Sequence, residues 1–190
     1  MVALETDTAS NTSTSVGIPN ADGMVEEETT RLTGTQQFVT FAIGAEEYAV
    51  DIMQVREIQA WTEVTILPNQ PHYMRGVLNL RGIIVPIFDL RRRFDQGDTE
   101  ATSIHVVVII AVGDRIIGIL VDRVSDILTI DGSEIRAVPD LDDSGESEHI
   151  IGLVTAGERM VALLDTGSLF RHEIISSSLD AVEEPFAQQG

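Results

Sequence analysis

The sequence predicts a mainly β protein built from two small barrels, with a few short helices. Three observations carry that expectation. Apolar residues alternate with period two through the middle of the chain, turn residues separate the alternating runs, and the whole pattern occurs twice.

The runs pair naturally into hairpins. Gln37-Phe-Val-Thr-Phe-Ala-Ile43 breaks at Gly44-Ala-Glu-Glu and resumes at Tyr48-Ala-Val. Val77-Leu-Asn-Leu turns at Arg81-Gly82 and returns as Ile83-Ile-Val-Pro-Ile-Phe88. The run from Ile104 to Val112 turns at Gly113-Asp-Arg and returns from Ile116 to Val121. Ile151-Gly-Leu-Val-Thr turns at Ala156-Gly-Glu-Arg and returns as Met160-Val-Ala-Leu-Leu164. Pro86 cannot donate to a ladder, so its strand should be an edge or bulged there. Short helices are expected at 51–57, 71–74, 90–94 and 165–170.

The duplication shows at two spacings. At 69, Gly44 falls on Gly113, Val39 on Val108, Val50 on Ile119, Val55 on Val124, Glu57 on Asp126 and Ile58 on Ile127. At 76, Gly76 falls on Gly152, Val77 on Leu153, Ile84 on Met160, Ile87 on Leu163, Phe88 on Leu164 and Asp89 on Asp165. The acidic stretch 140–148 is the natural place for the seven extra residues of the second copy. Two copies of a unit of about 60 residues and five strands suggest barrels, since closure removes exposed strand edges. The first barrel is expected at about 36–95 and the second at about 103–172, with the C-terminal segment packing back on the first.

Residues 1–35 are polar, aperiodic and net −5, too poor in apolar surface to offset chain entropy, and are read as a disordered acidic tail. Residues 173–190, net −4, are read as a second flexible acidic tail.

Composition excludes several kinds of chemistry. The 190 residues carry net −19, and every one of the 12 basic residues is arginine. Without lysine there is no P-loop lysine and no Schiff base; without cysteine there is no disulfide, thiolate metal site or thiol nucleophile. So acidic a surface disfavours nucleic acid. No apolar run approaches the roughly 20 residues of a membrane span, and the start lacks a signal-peptide pattern, so a cytoplasmic protein is expected. His72, His105, His149 and His172 show no metal-binding spacing, and no metal or cofactor is expected. Asp51, Asp89, Asp122 and Asp165 each follow a strand, where capping a short helix explains them. Arg91-Arg-Arg93 is read as a surface helix beside acids.

The charge excess has two readings. Carboxylates repel one another, and at about 1 M salt the Debye length falls to about 3 Å, so the chain could be adapted to a high-salt cytoplasm. Genome base composition would explain arginine over lysine but not the acids. If the first reading holds, the melting temperature rises with KCl; a flat midpoint from dilute to molar salt eliminates it.

Two features suggest recognition rather than catalysis. Asn79-Leu80-Arg81-Gly82 occupies a hairpin turn that would hold Leu80 and Arg81 out to solvent. Ile52, Val55 and Ile58 recur at i, i+3, i+6 beside Glu57, an apolar strip that would either pack on its own barrel or line a helix-binding groove.

With these blocks the chain resembles the CheW family of chemotaxis coupling proteins. Gly76-Val-Leu-Asn-Leu-Arg-Gly-Ile-Ile-Val-Pro-Ile-Phe-Asp-Leu-Arg91 is its most specific stretch, flanked by Phe38 to Ile58 and Gly118 to Ile127. The resemblance implies two five-stranded SH3-like barrels and a non-enzymatic adaptor. It would bridge the signalling tips of methyl-accepting chemoreceptors to the regulatory domain of the histidine kinase CheA, in the cytoplasm at membrane receptor arrays, with no nucleic-acid partner and no membrane insertion. By position it implies coupling roles for Ile52, Val55, Glu57, Ile58, Leu80 and Arg81. The acidic tail and the 140–148 stretch depart from the family pattern. The alternative from another class is a small-ligand-binding β-barrel sensor; a carboxylate-using hydrolase acting through Asp89 or Asp122 is more distant.

Overall fold

A computed structural model describes residues 34–138 and 149–171. The two tails, apart from Gly34 and Thr35, and the 140–148 stretch lie outside these residues.

Each predicted hairpin is present: β1 Thr35–Ile43 with β2 Glu46–Asp51, β4 Met74–Leu80 with β5 Ile83–Asp89, β6 Val106–Val112 with β7 Arg115–Val121, and β9 Ile150–Ala156 with β10 Arg159–Leu164. Two single strands complete the set, β3 Val55–Ala60 and β8 Arg123–Asp131. Two one-turn helices follow β5 and β10, α1 Leu90–Arg93 and α2 Thr166–Leu169. The described residues are mainly β, in two five-stranded, SH3-like sheets.

The strand order shows how the duplication is built. One sheet runs β8-β1-β2-β10-β9 and the other β3-β6-β7-β5-β4. Moving each strand to its counterpart in the other copy turns the first order into the second. The copies therefore exchange their first hairpins: β1–β2 completes the sheet of β8–β10, and β6–β7 completes that of β3–β5. A sequential division into barrels at 36–95 and 103–172 is corrected accordingly. The cause is that β2 pairs in parallel with β10, and β5 with β7, through edges that a self-contained unit would leave exposed.

Each sheet curls back on itself. The segment after β3, at one edge, reaches the opposite edge through a single bridge from Thr65 to Val77 on β4. Arg136 and Leu153 do the same beyond β8. These bridges also apportion the insertion, since Thr65 and Arg136 are 71 apart while Gly76 and Gly152 are 76 apart. Two of the seven extra residues precede Arg136 and five follow it.

The main core lies between the sheets, where Phe41, Ile43 and Val50 meet Val108, Ile110, Ile119 and Val121, closed by Leu90, Leu169 and Phe170. Smaller cores fill each sheet: Phe38, Ala49, Val154 and Leu163 in one, Val85, Ile87, Val107, Ile109 and Leu120 in the other.

The helices differ from expectation at two places. Within 51–57 only Ile52–Gln54 is helical, as one 3₁₀ turn, because β3 finds backbone partners on β6 from Val55 onward. Residues 71–74 form a turn in which the Met74 amide donates to the Pro71 carbonyl at 2.9 Å. Ile104 lies before β6 and is exposed. Pro86 sits in an internal strand, but the β5–β7 ladder begins at Ile87, so its missing N–H falls at a locally open edge.

The caps are as expected for three aspartates. Asp51 accepts from the Met53 amide at 2.8 Å, Asp89 from Arg92 at 3.3 Å and Asp165 from Gly167 at 2.9 Å. Asp122 caps no helix. It accepts from the Gly44 amide at 2.7 Å and from the Arg91 guanidinium at 2.5 Å, tying the β1–β2 turn to α1. Burial pushes the Asp122 carboxyl upward, but the Gly44 amide and Arg91 outweigh it and hold the group below its usual range. The stabilisation this represents is complete above the unfolded value of 3.8 and is lost as pH falls through the lower folded value. Asp122→Asn should therefore lose stability to urea at pH 7 and approach wild type near pH 2; an equal loss at both would mean packing alone is affected.

Each arginine of the run has a partner. Arg91 holds Asp122, Arg92 lies 3.1 Å from Asp98, and Arg93 donates to the Leu169 carbonyl and stacks 4.9 Å from the Tyr73 ring.

Candidate functional site

β3 and β4 are the two edges of one sheet, and the tip of the β4–β5 hairpin stands beside the seam between them. A bulge in the β3–β6 pairing between Val55 and Glu57 sets the alternation of β3. Val55, Glu57 and Gln59 are half-buried, while Arg56, Ile58 and Ala60 face solvent. Glu57 thus leans inward at the seam, and Ile58 lies on the opposite face at 45% exposure.

The β4–β5 connection is a two-residue turn with both residues at positive φ, Arg81 at 53° and Gly82 at 91°. This is the turn whose twist matches a hairpin, and it demands the left-handed region at both central positions. Glycine enters that region freely, whereas an L side chain there costs about 1–2 kcal/mol. Asn79 lies within β4 and acts through its side chain, whose Oδ1 accepts from the Gly82 amide at 2.8 Å. Positive φ falls on Arg81 and Gly82 and not on Asn79.

Arg81 spans the seam. Its Nη2 lies 3.2 Å from Glu57 Oε2, with the arginine side chain 80% exposed and the glutamate 30%. An exposed pair of this kind contributes roughly 0–1 kcal/mol to stability, so the strained turn is not explained by folding alone.

The other predicted residues divide. Leu80 does not project to solvent but packs on the small core of its own sheet, with Val85, Ile87 and Leu120. Ile52 and Val55 are half-buried against the core between the sheets, the packing alternative weighed for them. Glu57 and Arg81 are brought together, with Leu80 beneath the hairpin; Ile58 shares the strand of Glu57 but not its face. Ile83 and Ile84 were passed over, yet they follow the turn at 53% and 60% exposure. The continuous apolar run Ile83-Ile-Val hides the alternation that would have pointed outward.

The second copy shows what this seam would be without the pair. By the spacing of 76, Gly157 stands where Arg81 does, at φ 63°, and Ala156 where Leu80 does. Asp126, the counterpart of Glu57, there borders an open cleft of about 330 Å³ lined also by Thr40, Leu128 and Val161. Its floor holds Glu47, 7% exposed, which accepts from Arg159 and lies 3.6 Å from Arg123. The first seam is spanned by the Glu57–Arg81 pair, whereas the second keeps an open cleft whose ion pairs gather on Glu47.

No group of three or more potential metal ligands occurs among the described residues. His105 is held locally, its Nδ1 accepting from the Thr102 amide at 3.1 Å. Asp89 is fully buried and accepts from the Thr99 hydroxyl at 2.9 Å.

The described residues thus form a pair of SH3-like sheets with a charged hairpin at the seam of one. Residues 37–173 match the CheW-like domain family. The chain is 41% identical over 138 residues to the chemotaxis protein CheW of Klebsiella aerogenes, covering 73% of this chain and 83% of that protein. It is 30% identical over 144 residues to chemotaxis protein CheW of Bacillus subtilis, covering 76% and 92%. The crystal structure of the scaffolding protein TtCheW from Thermoanaerobacter tengcongensis superposes with a TM-score of 0.66 at 27% identity, covering 71% of this chain and 87% of that one. The chain belongs to the CheW-like domain family.

Proposed function

We propose that this protein is a non-enzymatic adaptor that couples the signalling tips of methyl-accepting chemoreceptors to the histidine kinase CheA. The observation that carries the reading is the family match across 37–173, which contains the whole Asn79–Gly82 hairpin. Relatives over most of their length are chemotaxis proteins, and the structural neighbour is described as a scaffold.

The physical logic supports a coupling surface at the Glu57–Arg81 seam. Helical receptor tips offer apolar ridges with charges that set register, and a surface that reads them needs both. Ile83 and Ile84 supply exposed apolar area, and Glu57 with Arg81 supplies the charges. Ile52, Val55 and Leu80 would then shape the surface from beneath. No helix among the described residues is long and apolar enough to cross a membrane; placement at receptor arrays would come from the receptors.

Reconstitution tests the reading. Adding the chain to CheA and a chemoreceptor cytoplasmic fragment should raise kinase activity and bring all three into one sediment. Unchanged kinase activity and no co-sedimentation would overturn it.

A further inference from the structure

We propose that Asn79 is a positioning residue for coupling: its side chain holds Arg81 in the left-handed conformation that aims the guanidinium across the seam. The proposal rests on the Glu57–Arg81 pair belonging to the coupling surface.

Arg81 is the sole non-glycine residue at positive φ in these two matched turns, and its side chain is 80% exposed. No packing therefore fixes its direction; the backbone and a single contact with Glu57 do. Left to itself, an L residue avoids φ 53°. The bond from the Gly82 amide to Asn79 Oδ1, 2.8 Å long, closes the turn around Arg81 and opposes that drift. In the second copy Thr155 replaces Asn79 and Gly157 replaces Arg81, and a glycine needs no such help. The side-chain clamp and the strained arginine thus occur together, in the copy whose seam carries the Glu57–Arg81 pair.

A cycle of four proteins tests this: wild type, Asn79→Ala, Arg81→Gly and the double variant. Each is titrated against a chemoreceptor cytoplasmic fragment with CheA, and its melting temperature is recorded. If the clamp keeps the arginine aimed, losing it lowers the competent fraction, and apparent affinity falls by that fraction, about fivefold in Asn79→Ala. Asn79→Asp, which retains the acceptor oxygen, should bind within about twofold of wild type. In the Arg81→Gly background, Asn79→Ala should cost nothing further, because the side chain it positions is gone. Equal losses in both backgrounds would overturn the proposal, whether Asn79 contacts the partner itself or merely stabilises the sheet. So would wild-type binding by Asn79→Ala. Wild-type binding by Arg81→Gly would instead remove the coupling assignment of this seam, and the proposal with it.

Discussion

Arg81→Gly and Glu57→Ala should each leave the protein folded and reduce receptor-dependent kinase activation at least tenfold. Glycine is the informative replacement at 81 because its counterpart Gly157 already occupies the same conformation, so the variant removes the side chain while relieving the backbone. A rise in melting temperature with a fall in coupling is the expected signature. Stranding a charge within an interface costs about 2–5 kcal/mol, and tenfold in affinity is about 1.4 kcal/mol. Since the two side chains lie 3.2 Å apart, their effects on activation should be non-additive in a double-mutant cycle. If Arg81 serves only its own hairpin, the variant loses stability and keeps its partners. A well-folded double variant with wild-type coupling would exclude both residues from the surface.

Gly76→Ala should be among the most destabilising single substitutions in the fold. Gly76 adopts φ 140°, and an added Cβ would lie 2.3 Å from the carbonyl oxygen of Thr65. That oxygen belongs to backbone and accepts from the Val77 amide at 2.9 Å, so it cannot retreat without breaking the bridge that closes the sheet. Backbone strain and overpacking together suggest about 3–5 kcal/mol. The counterpart Gly152 provides an internal control. Its added Cβ would meet the Ile135 side chain, which can shift, at 2.4 Å and Arg136 O at 2.8 Å, and its φ lies outside the left-handed range. Gly152→Ala should therefore cost about 1–3 kcal/mol, from crowding alone. Urea unfolding of both variants checks the order; equal losses would mean that the conformation at 76 contributes nothing. Because the Thr65 bridge lies on the sheet that carries the seam, partial unfolding there should also abolish coupling.

Much of the architecture was legible because hairpins are local. Alternation and turn residues reported β1–β2, β4–β5, β6–β7 and β9–β10, and the two spacings reported the duplication. What escaped was non-local pairing. Nothing in the alternation of β2 distinguishes β10 as its neighbour from a strand of its own copy, so the hairpin exchange was invisible. Ile52, Val55 and Ile58 fit a helical period as well as they fit one 3₁₀ turn followed by β3, and only pairing with β6 decides between them. At the site, Glu57 and Arg81 could be singled out as charges without a packing role. Their meeting across the seam depended on the closure of the sheet, and the φ of Arg81 on the two-residue turn. Leu80 looked presented because a hairpin tip was assumed to expose both neighbours, whereas the pleat turns it inward.

The hairpin exchange has a consequence during synthesis on the ribosome. The sheet of β3–β7 is contiguous in sequence and can assemble once Val121 has emerged. The other sheet joins both ends of the chain, so β1 and β2 must wait for β8 and β10, with Val39 meeting Ile127 and Ala49 meeting Leu163. Until then Phe38, buried in the finished fold against Val154 and Leu163, lacks those partners, and the outer edges of the β1–β2 hairpin stay unpaired. A nascent chain in that state exposes apolar surface and unpaired strand edges, the features through which growing polypeptides aggregate or enlist chaperones.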